Sequence, residues 1–200
     1  MNDLLKRARE ESQTDFDVIF LSIISAVLAT IGIILKDNFI IIASMLIAPF
    51  LEPIISFVVF LYTRNIRGMI ESTLTFLLIT LISFITSAIL SLILSFWRNS
   101  VDITYYPRID GEYLFVACAL GSVAMLLWLW PKRFSQAAGL SVAISLMPPL
   151  ANLGRSLLLL DLNLILSSAF AFFINVVGIL IGAFITLTII YKANLKKLRH

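Results

Sequence analysis

The chain has 200 residues, of which 60% are hydrophobic and only 14% are charged, and its mean hydropathy is +1.01. Soluble domains carry about 25% charged residues, so this composition excludes an ordinary soluble domain and predicts an integral membrane protein. The single cysteine, Cys118, and the single histidine, His200, exclude a disulfide framework within the chain and a cysteine–histidine zinc site.

The first fifteen residues mix both signs of charge and do not have the layout of a signal peptide. Leu4, Leu5 and Ala8 have the spacing of an amphipathic helix that lies on the membrane surface. Thr14 and Asp17 have the spacing of a capping box at the start of the first span. Residues 1–15 are therefore predicted to form a cytoplasmic amphipathic segment.

Six apolar segments follow, each long enough to cross a bilayer, which takes roughly 20 residues. They run from Phe16 to Leu35, Phe39 to Tyr62, Gly68 to Trp97, Tyr113 to Trp130, Ala138 to Leu160 and Leu162 to Tyr191. The predicted fold is therefore all-α, with a membrane domain of six transmembrane helices over residues 16–191 and a basic cytoplasmic tail over residues 192–200.

Lysine and arginine residues predict the orientation of the six spans, because they concentrate in cytoplasmic loops. Six spans put both termini on one side, and that side collects eleven of these residues against three on the other. The eleven are Lys6, Arg7, Arg9, Arg64, Arg67, Lys132, Arg133, Lys192, Lys196, Lys197 and Arg199. We therefore expect a multi-pass inner-membrane protein with both termini cytoplasmic, and the net charge of +3 reflects this bias rather than nucleic-acid binding.

The second and fifth segments resemble each other. SMLIAPFLEP (44–53) aligns without gaps on ISLMPPLANL (144–153), which pairs Pro49 with Pro149 and Glu52 with Asn152. Two units of three spans, residues 16–97 and 113–191, would enter the membrane in opposite orientations and form an inverted repeat. Proline removes a helix hydrogen bond, so helix breaks are expected at Pro49, Pro53, Pro148 and Pro149, with Pro49 and Pro149 roughly 16 Å deep.

Polar residues recur near these prolines at the spacing of one helix face. Ser44, Ala48, Glu52 and Ser56 are four residues apart, and such a stripe usually lines a bundle interior or a water path. The candidate midplane polar site consists of Ser44, Glu52, Ser56, Ser145, Asn152 and Arg155. Glu52 could pair with Arg155, face a polar cavity, or contact another subunit or a backbone donor.

Three residues of the sixth segment predict close helix packing. Gly178 and Gly182 form a G-x-x-x-G pattern, and Asn175 precedes it, so we expect a tight helix contact with an interhelical hydrogen bond. Arg67 and Glu71 have the spacing of an interfacial ion pair. The membrane serines have no histidine base, and no cofactor or metal motif is present, so an enzyme is not expected.

The segments IIIASMLIAPFLEPI, GLSVAISLMPPLANLG and FFINVVGILIGAF resemble those of a prokaryotic membrane family known as domain of unknown function 389. The resemblance covers roughly residues 25–191 and includes Asn175. Because the family has no established activity, the resemblance implies the membrane architecture and leaves the function open. The chain departs from the family pattern at Ser56-Phe57-Val58, where glycines are usual, and at Glu52 and Arg155, where small or apolar residues are usual. Any functional mechanism that uses the charges of Glu52 and Arg155 would therefore be particular to a subgroup of the family.

Two functions fit these observations. The first is a small transporter or channel-like protein for an ion or small solute, with a polar site near the bilayer midplane. The second is a non-transporting scaffold, sensor or assembly module whose polar residues serve helix and subunit packing. The expected partners are the lipid bilayer, further copies of the chain in a homo-oligomer, and an unidentified ion or small solute, but no nucleic acid.

Overall fold

The computed structural model describes residues 2–98, 111–130 and 146–197, and within these ranges every regular element is an α-helix. The helices are α1 Asn2–Glu11, α2 Phe16–Leu35, α3 Asn38–Ile47, α4 Leu51–Tyr62, α5 Ile66–Arg98, α6 Gly111–Leu129, α7 Met147–Leu159 and α8 Leu162–Lys197. The predicted all-α fold is confirmed for these residues. Residues 138–145 of the fifth predicted span, which include Ser145, lie outside the described residues.

Four helices, α2, α5, α6 and α8, are each long and apolar enough to cross a bilayer, and α3 with α4 makes a fifth candidate if the pair is one span. The described residues therefore hold four or five candidate spans, whereas the sequence predicts six. The difference lies in the fifth predicted span. Its described part is α7, whose 13 residues are fewer than the roughly 20 that a crossing takes.

A tight turn joins α2 to α3. Lys36 ends α2 in the left-handed conformation, with φ of 57°, and the Asp37 carboxylate accepts hydrogen bonds from the backbone N–H groups of Phe39 and Ile40 at the start of α3. Gly32 faces Ile41, and a Cβ at Gly32 would lie 2.8 Å from the Ile41 side chain. The missing side chain thus lets the two helices pack closely as a hairpin.

The capping box predicted at Thr14 and Asp17 is wrong. Asp15 is the residue that precedes α2, and it makes no side-chain capping hydrogen bond. The Thr14 hydroxyl instead lies 3.0 Å from the Thr75 hydroxyl of α5, and Thr75 donates to the backbone carbonyl of Ser12 at 2.7 Å. A tertiary hydrogen bond has replaced the local cap, and it ties the α1–α2 connection to α5.

Two pairs of helices are parallel, and in both pairs the contacting residues are about 60 positions apart in the sequence. Between α2 and α5, Thr14 contacts Thr75 and Ser22 contacts Ser83, and both pairs are 61 residues apart. Between α6 and α8, Ser122 donates to the carbonyl of Gly182, 60 residues later. Gly178 and Gly182 lie in this second contact, where added Cβ atoms would meet Ala117 and the carbonyl of Cys118.

Aromatic rings hold α4 between α5 and α8. The Phe50 ring lies 5.9 Å from that of Phe76 and 6.5 Å from that of Phe172. At the other end of α4, the Tyr62 ring lies 5.5 Å from that of Tyr191. The later residue of the α4 region, Tyr62, contacts the later residue of α8, Tyr191, so α4 and α8 run parallel.

Candidate functional site

The predicted break in the second span lies at Pro49. Helix α3 ends at Ile47, and Ala48 is extended with φ of −64° and ψ of 121°, the conformation favoured before proline. Helix α4 begins at Leu51, and the axes of α3 and α4 differ by 46°. Pro53 causes no second break, because it is the third residue of α4 and the first turn of a helix needs no N–H donor there.

Helix α7 begins in the same way as α4. The residues that precede the two helices, Phe50 and Leu146, both have right-handed helical dihedral angles and are buried. Pro149 is the third residue of α7, as Pro53 is of α4. If α4 and α7 are aligned at their first residues, Pro53 pairs with Pro149. The sequence alignment instead paired Pro49 with Pro149, so the two alignments differ by four residues, about one helical turn. The alignment at the helix starts pairs Ser56 with Asn152, and both are fully buried.

The polar stripe predicted along the second span is not uniformly buried. Ser44 and Ser56 are completely buried, but Glu52 between them is exposed. The extended backbone at Ala48 and the bend change the direction in which side chains leave the helix, so the four-residue spacing does not keep one face across the break.

Helix α1, which carries Arg7 and Glu11, packs against α4, the helix that carries Glu52. Arg7 itself donates to the Glu11 carboxylate and to the backbone carbonyl of Trp128 in α6, both at 2.7 Å. Its guanidinium carbon lies 4.5 Å from the centre of the Trp128 ring, and the Trp128 indole N–H donates to Glu11. Glu52 thus lies on the helix against which the N-terminal helix docks.

Helix α7 carries three deeply buried polar residues. Asn152 and Arg155 are only 1% and 4% exposed, and Ser156 is completely buried. The Asn152 amide donates to the Ser168 hydroxyl of α8 at 2.9 Å. The structure therefore places two of the predicted site residues, Asn152 and Arg155, in one buried stretch of α7.

Helix α5 faces α7 with hydroxyl groups that the sequence analysis did not single out. Ser83, Ser87 and Ser91 are four residues apart and are all buried. A Cβ at Gly154 of α7 would lie 3.0 Å from the Ser87 Cβ, so the glycine lets the helices approach each other. The hydroxyls of Ser87 and Ser91 have no hydrogen-bond partner within the described residues. In the sequence, the four-residue spacing of these serines within an apolar helix indicates a polar helix face.

We refer to these side chains together as the buried polar cluster. Its members are Ser83, Ser87, Ser91, Asn152, Arg155, Ser156 and Ser168. The cluster offers one cation, one amide and several hydroxyls, and its members have no nucleophile–base pair such as catalysis by serine needs. Among the described residues, no three histidine, cysteine or acidic side chains are grouped so that they could hold a metal ion.

Two of the remaining predicted site residues serve a helix contact. Gly178 and Gly182 pack against α6, as the G-x-x-x-G pattern predicts. Asn175 lies one turn before them on α8 and is half-buried. The predicted pair of Arg67 and Glu71 is also confirmed, with 3.0 Å between the Arg67 Nε and the Glu71 carboxylate.

Comparison with known proteins gives one finding. A family model described as Domain of unknown function (DUF389) matches residues 45–181, which include the break at Pro49, helix α7 and the contact between α6 and α8. No curated protein and no solved structure matches the chain. Since the family model covers more than half of the 200 residues, the chain belongs to the DUF389 family of membrane proteins.

Proposed function

We propose that the protein is a membrane transporter and that the buried polar cluster binds its substrate. The observation that carries this proposal is the burial of Arg155, which is only 4% exposed in a chain that consists largely of apolar helices. A charged side chain inside a membrane domain is costly and usually marks a substrate or ion pathway. Arginine keeps its charge in a protein, and its planar fork of hydrogen-bond donors matches the geometry of anions, so we propose that the substrate is an anion.

Buried hydrogen-bond donors of α5 and α7 support the same substrate class. A small anion that leaves water needs donors in place of its hydration shell. Ser87 and Ser91 of α5 hold buried hydroxyls that make no other hydrogen bond within the described residues. Asn152 lies one turn before Arg155 on α7 and is equally buried.

We further propose six spans arranged as two inverted units of three, with both termini in the cytoplasm. The parallel pairs α2–α5 and α6–α8 support this arrangement, because each joins the first and third span of one unit at a separation of about 60 residues. The shared position of Pro53 and Pro149 also supports it. In transporters with inverted repeats, broken helices of the two units commonly form the substrate site.

Anion flux into proteoliposomes tests the proposal. Liposomes that contain the purified protein are placed in potassium chloride, nitrate or formate with valinomycin, and swelling is followed by light scattering. We expect wild-type protein to exceed empty liposomes for at least one of these anions. Arg155→Gln should lower that rate about tenfold or more, since it removes a charged hydrogen-bond donor, whereas Arg155→Lys should retain part of it.

Lys192→Gln is the matched control, because Lys192 is an exposed cation outside the cluster and its loss should leave the flux unchanged. All variants should elute from a sizing column as the wild type does. Wild-type rates equal to those of empty liposomes for every anion, or equal rates for Arg155→Gln and wild type, would overturn the proposal.

A non-transporting scaffold is the second candidate, and one observation favours it. Several buried hydroxyls donate to carbonyls of their own helix, as Ser156 does to Leu153 at 2.7 Å and Thr30 does to Ala26 at 2.7 Å. Hydroxyls satisfied in this way serve dry packing between helices. Absence of any flux in the liposome experiment would favour this candidate.

A further inference from the structure

Three neighbouring cavities lie along the first part of α5. A cavity of 430 Å³ separates α5 from the end of α1 and has a polar lining that includes Arg9, Gln13, Thr14 and Arg67. A second cavity of 280 Å³ and a third of 310 Å³ are lined almost entirely by apolar side chains of α4, α5 and α8. None of the three contains a residue of the buried polar cluster.

The three cavities adjoin one another. Leu74 lines both the polar cavity and the second cavity, and Phe57 and Thr73 line both the second and the third. Ile70 and Leu77, on the same stretch of α5, are more than half exposed. The cavities therefore follow one another on the surface around α5, polar near Arg67 and apolar beyond it, and we refer to the three together as the α5 groove.

The polar end of the α5 groove carries one net positive charge. Two arginines, Arg9 and Arg67, line it together with one carboxylate, Glu71. Arg67 pairs with Glu71, and Arg9 is exposed. The Gln13 amide adds a group that can donate hydrogen bonds to phosphate oxygens.

We propose that the α5 groove binds one anionic phospholipid, with the phosphate between Arg9 and Arg67 and an acyl chain along Leu74, Phe57 and Thr73. The single positive charge of the polar end matches the single negative charge of a phosphodiester. Basic pockets on the cytoplasmic side of membrane helices hold anionic head groups, and the lysine and arginine distribution puts Arg9 and Arg67 on that side.

Lipid titration of the purified, delipidated protein tests this site by native mass spectrometry. The probes are dioleoyl phosphatidylglycerol and dioleoyl phosphatidylcholine, which share acyl chains and differ in head-group charge. We expect wild-type protein to prefer phosphatidylglycerol. Arg9→Gln and Arg67→Gln should each weaken phosphatidylglycerol binding about fivefold, the usual effect of one cation on an anionic lipid, and leave phosphatidylcholine unchanged.

Two further variants separate the head group from the chain. Arg64→Gln removes an exposed cation next to the α5 start that does not line the groove, and it should bind phosphatidylglycerol as the wild type does. Thr73→Trp fills the junction of the two apolar cavities and should weaken the binding of both lipids.

Three outcomes would overturn the proposal. They are equal binding of the two lipids by wild-type protein, equal losses in Arg64→Gln and Arg67→Gln, and displacement of the lipid by millimolar inorganic phosphate, which would mean that the site takes a free anion. Anion flux does not enter the measurement, so its result is independent of the transport proposal.

Discussion

Arg7, Glu11 and Trp128 form a small interlocked group in which each side chain contacts the other two. Arg7 satisfies the carboxylate of Glu11 and lies against the Trp128 ring, where a cation is attracted to the negative face of the aromatic system. Because Ala8 is completely buried on the same helix, α1 packs against the bundle as a true element of the fold. The group fixes the N-terminal segment to α6.

Replacement of Trp128 by phenylalanine should loosen α1. The variant removes the indole N–H that donates to Glu11 but keeps a ring for Arg7. Loss of a hydrogen bond to a charged group costs about 1–3 kcal/mol, so amide hydrogen exchange in peptides from α1 should become roughly tenfold faster. Trp130→Phe is the control, since Trp130 is partly exposed on the same helix end, and equal exchange in the two variants would contradict the assigned role of Trp128.

At the scale of elements, the tightest contact involves three glycines of α6 and α8. A Cβ at Gly121 would collide with the backbone at Ile179, and one at Gly182 would collide with the carbonyl of Cys118. Lipid supplies no hydrophobic driving force between membrane helices, so close backbone packing of this kind holds them together. The contact between α6 and α8 is therefore sensitive to single methyl groups.

Gly182→Ala should destabilise the protein by about 1–3 kcal/mol, the usual cost of overpacking a filled contact, and lower its Tm in detergent. Gly111→Ala is the matched control, because nothing lies within 4 Å of the position of its new Cβ. We expect the control to keep the wild-type Tm. A Tm for Gly182→Ala that equals that of the control would mean that α6 and α8 do not pack through this glycine.

Helix bounds were predictable because they follow from local properties. An apolar run bounded by Asp15 and Lys36 gives α2, and Pro49 gives the break after α3. The exposure of Glu52 was not predictable, since it depends on how the bend turns α4 relative to α3. Ser87 belongs to the candidate site only because α7 approaches it at Gly154, a tertiary contact between segments far apart in the sequence.

At the scale of the whole molecule, the number of crossings decides where the ends lie. Six spans place both termini on the same side, whereas five place them on opposite sides. Four helices are candidate spans by themselves, and α3 with α4 makes a fifth. Whether the number of spans is five or six therefore depends on the segment that contains α7. The distribution of lysine and arginine favours six spans with cytoplasmic termini.

Cysteine labelling can show whether the number of spans is even or odd. In a Cys118→Ser background, which is free of cysteine, single cysteines are placed at Asn2, Asn38 and Lys196 and treated with a membrane-impermeant maleimide. We expect Asn38→Cys to react in intact cells, and Asn2→Cys and Lys196→Cys to react only after permeabilisation. Reaction at just one of the two termini in intact cells would exclude an even number of spans.

The lengths of α3, α4 and α7 have a consequence for biogenesis. These helices have 10, 12 and 13 residues, so none of them alone has the roughly 20 residues that a crossing takes. Helix α3 packs closely against α2 at Gly32, and α7 packs against α5 at Gly154. The short helices therefore depend on longer neighbours that are already in the bilayer, and the order of synthesis provides α2 before α3 and α5 before α7.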